Sequence, residues 1–334
     1  MRGRGRVLRG LRAMAQPPPR AIVTIGVFDG VHRAHQRLIR AAVRMARRRR
    51  GTSVALTFDP DPQAVLHPAS APPALMPLDE RVAHLRELGV DLVWVIPFTP
   101  RFARLTAAQF IRRILVARVR AEAVLVGEAF AFGRNRRGDM EVLRSLGPRC
   151  GIRVVSVRQI MHGGEPISSS RIRRLIAEGR LGLTRRLLGR PPALHGEVVR
   201  GAGRGRRFRV PTANVRLEPH ALPPEGVYAV LLRRAGRPAP LPIRVRGTRT
   251  VAGRNVASGE LIGGGVMNLG VRPTFGPGPL VCEVHLLDFS LHPRPRVQPG
   301  CGMSPRATGV PSRRFARRGS TVRLLGRTVT VSLL

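Results

Sequence analysis

The sequence predicts two domains, an α/β domain built on a doubly wound parallel sheet and a smaller all-β barrel that follows it. From Ala21 to about residue 190, strand-like apolar runs alternate with helix-like periods. From Pro191 onward the strands become short, Gly and Pro separate them, and no helical period is seen. A chain of 334 residues with 43% hydrophobic content is long and apolar enough for two cores.

The α/β domain begins with a βαβ unit. The run AIVTIG predicts a strand, HQRLIRAAVRMARRRRG predicts a helix that ends at Gly51, and TSVALTF predicts a second strand. Further strands are predicted at DLVWVIPF, AEAVLVG and IRVVSV, with helices around LDERVAHLRELG and TAAQFIRRIL. Strands and helices that alternate in this way form a parallel sheet with helices on both faces.

The second domain is predicted as a barrel with strands in GEVVRG, GVYAVLL, GGGVMNLG and VCEVHLLDF. We place the α/β domain at residues 21–190 and the barrel at 191–290. Residues 1–20 are expected to be a disordered extension or the result of a start placed too early. Residues 291–334 are expected to be an atypical Arg/Pro-rich tail without packed structure, with a composition typical of translation in a shifted reading frame.

The formal net charge of +40 is carried by arginine alone, because the sequence contains no lysine. Clustered cations often indicate nucleic-acid binding. Here arginine is spread over the chain beside abundant Ala, Gly and Pro, and aromatic residues make up only 4%. We attribute the charge to a G+C-rich coding sequence and expect no specific nucleic-acid partner.

The same survey favours a cytoplasmic protein. No apolar run approaches the roughly 20 residues that span a bilayer, so no membrane partner is expected. The three cysteines are far apart and are expected to be reduced thiols. A homo-oligomer is left open.

The segment TIGVFDGVHRAHQ, from Thr24 to Gln36, is the first candidate site. It lies at the carboxyl end of a strand, where the N-terminus of the next helix offers N–H groups to an anion. Gly26 and Gly30 allow a tight turn, and His32 and His35 fall on one helix face. Two imidazoles there can bind phosphate oxygens and offset charge on a departing pyrophosphate. The alternative is that one histidine only caps or packs the helix.

The segment ISSSRIRRLI is the second candidate site. Ser168 and Ser169, followed by Arg171, can cap a helix or hold a triphosphate. Paired with the histidines, this segment resembles the HxGH and ISSxxIR signatures of the nucleotidyltransferase superfamily.

A more specific resemblance covers the chain from about Ala21 to Ser290. Its segments are TIGVFDGVHRAHQ, TFDPDP, VLVGEAFAFGRNRRGD, ISSSRIRRLIAEGR, LLGRP, GEVVRGAGRGRRFRVPTAN, GVYAV, GVMNLGVRPTFG and EVHLLDF. Their order is that of the bacterial bifunctional riboflavin kinases/FMN adenylyltransferases, and the chain resembles this family. The resemblance implies a Rossmann-like nucleotidyltransferase domain followed by a riboflavin-kinase-like barrel.

The resemblance also implies two ATP-dependent reactions. The barrel would phosphorylate riboflavin to FMN, and the first domain would transfer AMP from ATP to FMN, giving FAD and pyrophosphate. ATP would be the co-substrate and Mg²⁺ the metal. The FMN phosphate is already an anionic nucleophile and needs no general base, whereas the neutral ribityl hydroxyl benefits from one.

The site residues implied by the resemblance fall into four groups. Catalytic roles fall on His32, His35, Arg171 and Glu283, with Glu283 as the base of the kinase step. ATP would contact Gly26, Phe28, Asp29, Gly30, Ser168, Ser169, Arg171, Gly203 and Gly205. Thr212 and Asn214 would hold Mg²⁺ with ATP, and flavin would contact Phe58, Pro60, Phe130 and Phe132. It stays open whether Glu283 is only an exposed strand carboxylate and PTAN only a turn.

Three departures from the family pattern suggest impaired activity. Ala34 replaces the glycine of HxGH, and its Cβ would cost about 1 kcal/mol if that position needs a positive φ. Ala129 replaces an Asp or Asn close to flavin or metal. The segment after Ser290 lacks the strand and the long C-terminal helix that covers the kinase flavin site. We therefore expect a weakened kinase step; the alternative is a catalytically weakened homologue that binds nucleotide, flavin or RNA without turnover.

Overall fold

The computed structural model describes residues 5–200, 212–234, 260–271, 280–289 and 327–334. The chain forms two compact units. The first contains the chain up to Leu194 and the short segment Pro219–Pro224. The second contains His195–Glu218 and the described residues from Glu225 onward.

A six-stranded sheet is the centre of the first unit. Its strands are β1 (Arg6–Arg9), β2 (Ala21–Ile25), β3 (Ser53–Asp59), β4 (Leu92–Pro97), β5 (Ala121–Gly127) and β6 (Arg153–Val157). They lie in the order β1-β4-β3-β2-β5-β6, and every neighbouring pair is parallel. An apolar cluster covers each face of the sheet, which explains why the strands read as continuous apolar runs. The predicted doubly wound parallel sheet is confirmed.

The helices of the first unit follow the strands. They are α1 (Arg33–Arg48), α2 (Pro62–Leu66), α3 (Leu78–Glu87), α4 (Pro100–Ala103), α5 (Ala107–Phe110), α6 (Met140–Arg149), α7 (Ser169–Ala177) and α8 (Leu181–Leu188). Helix α5 continues as a π-helical segment, Ile111–Val116. A small antiparallel hairpin, β7 (Met161–His162) and β8 (Glu165–Pro166), precedes α7. No helix in the described part of the chain is long and apolar enough to cross a membrane.

The N-terminal segment differs from the sequence expectation. Strand β1 pairs with β4, Met14 is 1% exposed, and the Trp94 indole donates a hydrogen bond to the Gly10 carbonyl at 2.9 Å. Val7 packs against one cluster of the sheet and Leu8 against the other. The prediction that residues 1–20 form a disordered extension is therefore wrong for the described part of that segment, because the free edge of β4 supplies the missing partner.

The second unit is a closed antiparallel barrel. Its strands are β9 (Ala193–Val199), β10 (Thr212–Leu217), β11 (Gly226–Arg234), β12 (Glu260–Gly270), β13 (Val281–Phe289) and β14 (Thr328–Leu333). They close in the order β10-β13-β12-β11-β14-β9. Alternate side chains fill the interior, among them Val215, Met267 and Val284. The predicted barrel is confirmed.

The last strand corrects the second boundary. Strand β14 lies inside the segment 291–334 that was expected to be unpacked, and it pairs with β11. Val329, Val331 and Leu333 are each at most 1% exposed. The alternating TVTVSL is therefore a barrel strand, and the barrel does not end at residue 290. Residues 291–326 of the predicted tail lie outside the described residues.

Candidate active sites

The turn between β2 and α1 has an unusual backbone. Phe28 has a φ of 56° and Val31 a φ of 35°, so two non-glycine residues lie in the left-handed region. Gly30 has a φ of 78°, and a Cβ there would come within 2.7 Å of the Leu75 side chain. The glycine predicted at this position is required, and the turn is strained.

The two predicted histidines form a stacked pair at the start of α1. Their ring centroids are 3.6 Å apart with an interplanar angle of 17°. His32 Nδ1 accepts a hydrogen bond from the His35 backbone N–H at 3.3 Å, so His32 caps the helix. His32 therefore caps the helix, as the alternative interpretation of the sequence proposed, and at the same time stacks on His35. His35 Nδ1 is buried and has no hydrogen-bond partner among the described residues.

Both imidazoles have strongly lowered pKa values, which makes them neutral near pH 7. Burial and the nearby Arg190 lower the pKa of His32 to about 3. Burial, His32 and Arg81 hold the pKa of His35 well below its usual value. The positive charge around the turn therefore comes from arginines.

Asp29 holds the turn to its surroundings. Its carboxylate accepts the Leu75 backbone N–H at 3.0 Å and pairs with Arg173 Nη2 at 2.6 Å. Burial raises the pKa of Asp29, while Arg173 and the Leu75 N–H oppose that shift. This carboxylate links the turn to α7 and to the segment before α3.

The serine segment lies against the same turn. Ser168 caps α7 by accepting the Arg171 N–H at 3.2 Å, and Ser169 Oγ donates to the Asp29 carbonyl at 2.9 Å. The structure thus brings the two predicted segments together.

The two arginines of this segment point to different partners. Arg171 Nη1 donates to the carbonyls of His162 and Glu165 at 2.9 and 2.8 Å, so its guanidinium is directed at the β7–β8 hairpin. Arg173 is the arginine that reaches the turn, through Asp29. Sequence reasoning selected Arg171 and missed Arg173, although the arginine of the ISSxxIR spacing falls on Arg173.

A cluster of phenylalanine rings lies at the carboxyl edge of the sheet, after β3, β4 and β5. Its members in contact order are Phe58, Phe98, Phe102, Phe110, Phe132 and Phe130, with ring centroids 5.3–6.2 Å apart. Phe130 and Phe132 are stacked at 5.3 Å, and Pro60 is exposed in the turn after β3. Phe102, Phe110 and the predicted flavin contact Phe132 are buried in the apolar core, so only the half-buried Phe58, Phe98 and Phe130 offer apolar surface to a planar ring.

Three members of this phenylalanine cluster were not among the residues predicted from the sequence. Phe98 directly follows β4 and could have been found as the residue at the same edge as Phe58. Phe102 and Phe110 lie on short helices, where the sequence pattern indicates only core packing.

The outer face of the barrel carries the second candidate site, a set of polar side chains on β10 and β13. In the β10–β13 pair, Thr212 lies opposite His285 and Asn214 lies opposite Glu283. The alternate residues of these strands, such as Ala213, are buried inside the barrel. Thr212 Oγ1 and His285 Nδ1 are 3.0 Å apart. The structure therefore places the predicted metal ligands beside the predicted base; Gly203 and Gly205 lie outside the described residues.

The donor chemistry of this face fits Mg²⁺. A hydroxyl, an amide and a carboxylate offer the hard oxygen ligands that this ion prefers. The described residues contain no cluster of three or more His, Cys, Asp or Glu able to hold a metal by themselves. An ion here would need oxygen ligands from a bound phosphate as well.

The structure shows the surroundings of two departures from the family pattern, Ala34 and Ala129. Ala34 lies in the first turn of α1 and has a helical backbone, so the expected cost of a positive φ does not arise. Its side chain packs on an apolar cluster that includes Leu75 and Ile172. Ala129 is exposed, and its neighbour Glu128 accepts the Gln159 N–H at 3.2 Å.

The first unit has a strand–turn–helix site with paired histidines on a parallel sheet, and the second is a closed barrel with its own polar face. This combination defines the class as a two-unit, nucleotidyltransferase-like protein. The family of FAD synthetases matches residues 14–171, and the family of riboflavin kinases matches residues 188–296.

Curated relatives match over most of the chain. The bifunctional riboflavin kinase/FMN adenylyltransferase of Escherichia coli (strain K12) is 36% identical over 287 residues, covering 86% of this chain and 84% of the relative. The protein of the same description from Haemophilus influenzae is 33% identical over 284 residues, with 85% of each chain covered. A crystal structure described as a macrolide-efflux protein from Streptococcus pneumoniae superposes with a TM-score of 0.68 at 26% identity, covering 95% of this chain and 86% of that one. The chain belongs to the bifunctional riboflavin kinase/FMN adenylyltransferase family.

Proposed function

We propose that this chain makes FAD from riboflavin in two steps that each consume ATP. The barrel phosphorylates riboflavin to FMN, and the α/β unit transfers AMP from ATP to FMN and releases pyrophosphate. Membership of the family supports both reactions. The observation that carries the second is the stacked His32–His35 pair at the N-terminus of α1, in a turn whose Asp29 carbonyl accepts a hydrogen bond from Ser169.

In adenylyl transfer, an FMN phosphate oxygen attacks the α-phosphorus of ATP while the bond to pyrophosphate breaks. The nucleophile is already ionised, so this unit must position the two phosphates and stabilise the leaving group. The N-terminus of the 16-residue helix α1 favours an anion. Because His32 Nδ1 accepts a hydrogen bond, its neutral ring carries the proton on Nε2, where it can donate to a phosphate oxygen.

The charge state of the histidines depends on the ligand in this proposal. A bound triphosphate raises the pKa of a neighbouring imidazole, because the negative charge favours the protonated ring. The pair is neutral in the free protein and gains positive character as charge develops on the departing pyrophosphate. Transition-state charge is then stabilised more than ground-state charge.

In the kinase step, Glu283 accepts the proton of the ribityl hydroxyl as that oxygen attacks the γ-phosphorus of ATP and the bond to ADP breaks. Thr212 and Asn214 would hold Mg²⁺, which would neutralise phosphate charge when bound. Their positions on the same barrel face as Glu283 support this assignment. Riboflavin, FMN and ATP are the proposed partners, and the cytoplasm is the proposed location.

The histidine pair is tested with FMN and MgATP as substrates. His32→Ala and His35→Ala should each lower the rate of FAD formation by at least about tenfold, because charge stabilisation at the leaving group is lost. The measurement is FAD and pyrophosphate formed by the full chain. Arg44→Ala, an exposed change on the same helix, is the matched control.

Two results would count against the proposal. If the wild-type chain forms no FAD while binding ATP or flavin, it is a non-catalytic homologue. If it forms FAD and the double histidine variant is equally fast, the reaction stands but the role given to the pair is wrong.

A further inference from the structure

Two buried arginines hold the backbone of the turn between β2 and α1. Arg81 of α3 is 5% exposed, and Arg190, just after α8, is 7% exposed. A buried guanidinium is costly unless its donors are used. The turn supplies three of the carbonyl groups that receive these donors, those of Val27, Gly30 and Val31.

Arg81 links the turn to the end of β3. A single nitrogen, Nη1, donates to the Val27 carbonyl at 2.9 Å and to the Phe58 carbonyl at 3.2 Å. Phe58 also belongs to the phenylalanine cluster. One side chain therefore sets the spacing between the histidine turn and the aromatic edge of the sheet.

Arg190 holds the other end of the turn. Its Nη2 donates to the Gly30 carbonyl at 2.8 Å, and its Nη1 lies 3.5 Å from the Val31 carbonyl. Gln36 supports the same contact, since its Nε2 donates to the carbonyls of Val31 and Leu188 at 2.9 and 2.8 Å. Arg190 thus uses two nitrogens where Arg81 uses one.

These contacts fix N–H directions as well as carbonyl directions. In a trans peptide the N–H points opposite to the preceding carbonyl. Holding the Val27 carbonyl therefore orients the Phe28 N–H, and holding the Val31 carbonyl orients the His32 N–H. The turn is also strained, and strained backbone persists only where its surroundings determine it.

We propose that Arg81 and Arg190 are positioning residues for adenylyl transfer, which keep the turn and its histidine pair in the geometry that receives the nucleotide phosphates. Neither arginine contacts substrate in this proposal. Each acts through the backbone of the turn. The inference rests on the proposed adenylyl transfer, and its test separates the two.

The test compares four variants of the full chain, Arg81→Met, Arg81→Lys, Arg190→Met and Arg190→Lys. Each methionine variant should lower kcat for FAD formation by at least about tenfold while the KM for ATP changes less than about threefold, because transition-state alignment is lost more than ground-state binding. Lysine should restore much of kcat at Arg81, where one nitrogen serves both carbonyls. It should restore less at Arg190, where two nitrogens are used.

Controls separate positioning from general loss of structure. Arg44→Met removes an exposed arginine from α1 and should leave FAD formation unchanged. Phosphorylation of riboflavin by each variant should also be unchanged, since the barrel is a separate unit. Thermal unfolding identifies any variant that is not folded. Where a methionine variant does not fold, the kcat of the lysine variant at the same position tests the proposal.

The outcomes are distinct. No FAD from the wild-type chain would defeat the proposed function. FAD from the wild-type chain, with unchanged kcat in the folded variants or with a loss confined to KM, would overturn the positioning role alone. Equal rescue by lysine at both positions would also overturn it, because the different contact patterns would then be irrelevant.

Discussion

At the residue scale, His32 shows how burial changes the chemistry expected from a sequence. The spacing of His32 and His35 predicts a phosphate site; in the structure the two rings stack at the start of α1, and Ser169 donates to the Asp29 carbonyl of the same turn. Their neutrality could not be predicted, because it depends on Arg81, Arg190 and the burial that distant segments create. The ISSxxIR spacing does fall on Arg173, so the sequence alone could have drawn attention to the arginine that reaches Asp29.

Replacing His32 by Asn should reduce the dependence of stability on pH. The pKa of His32 is about 3 in the folded chain and about 6.5 when unfolded, so its contribution is present above about pH 6.5 and is lost as pH falls toward 3. Each such histidine adds a slope of up to about 1.4 kcal/mol per pH unit. Asn keeps a helix-capping oxygen but does not titrate. Urea unfolding between about pH 4.5 and 7.5 measures the difference.

The free energy of unfolding should change less steeply with pH in the variant, by the equivalent of up to about one bound proton. His35 contributes in the same direction in both proteins, and because His32 is one cause of its lowered pKa, any change in that contribution adds to the reduction. An unchanged slope would mean that folded His32 takes up a proton near its ordinary pKa.

At the element scale, β1 and the segment after it stabilise the edge of the sheet. The sequence predicted the central strands because they are long apolar runs, but RVLR shows only two apolar residues between arginines. Its stability comes from pairing with β4, which is distant in sequence. Local patterns do not contain that information.

Met14→Ala should therefore destabilise the α/β unit by about 2–4 kcal/mol, because it leaves a cavity in a cluster that contains Trp94 and Leu92. Leu11→Ala, at a side chain that is 37% exposed, is the matched control and should cost less than about 1 kcal/mol. Urea denaturation followed by Trp fluorescence measures both. Similar small losses in the two variants would show that the N-terminal segment is not packed in solution.

At the scale of the whole molecule, the two units were predictable and the barrel's last strand was not. Alternation of strands and helices identified the parallel sheet, and short strands separated by Gly and Pro identified the barrel. Strand β14 was missed because an Arg-rich segment hides its alternation. Arg81 was missed because the LDERVAHLREL pattern places it on a helix of mixed polarity, where burial depends on the neighbouring turn.

Val331→Asp should separate the two activities. Val331 is fully buried in the barrel, so a carboxylate there should reduce FMN formation from riboflavin by more than about tenfold. FAD formation from FMN should stay within about twofold, because the α/β unit has its own core. Leu334→Asp, at a residue that is 49% exposed, serves as the control. Equal losses of both activities, or no loss of either, would contradict this division.

The position of β14 also has a consequence for synthesis on the ribosome. The α/β unit needs the chain up to Leu194 and the short segment Pro219–Pro224, so its residues emerge early. The barrel cannot close until β14 has emerged, because that strand joins β11 to β9. During translation the nascent chain therefore carries a completed α/β unit and an open sheet whose edge strands β11 and β9 are unpaired until β14 is synthesised. A chaperone that binds the nascent chain at this stage would protect the exposed strand edges from aggregation.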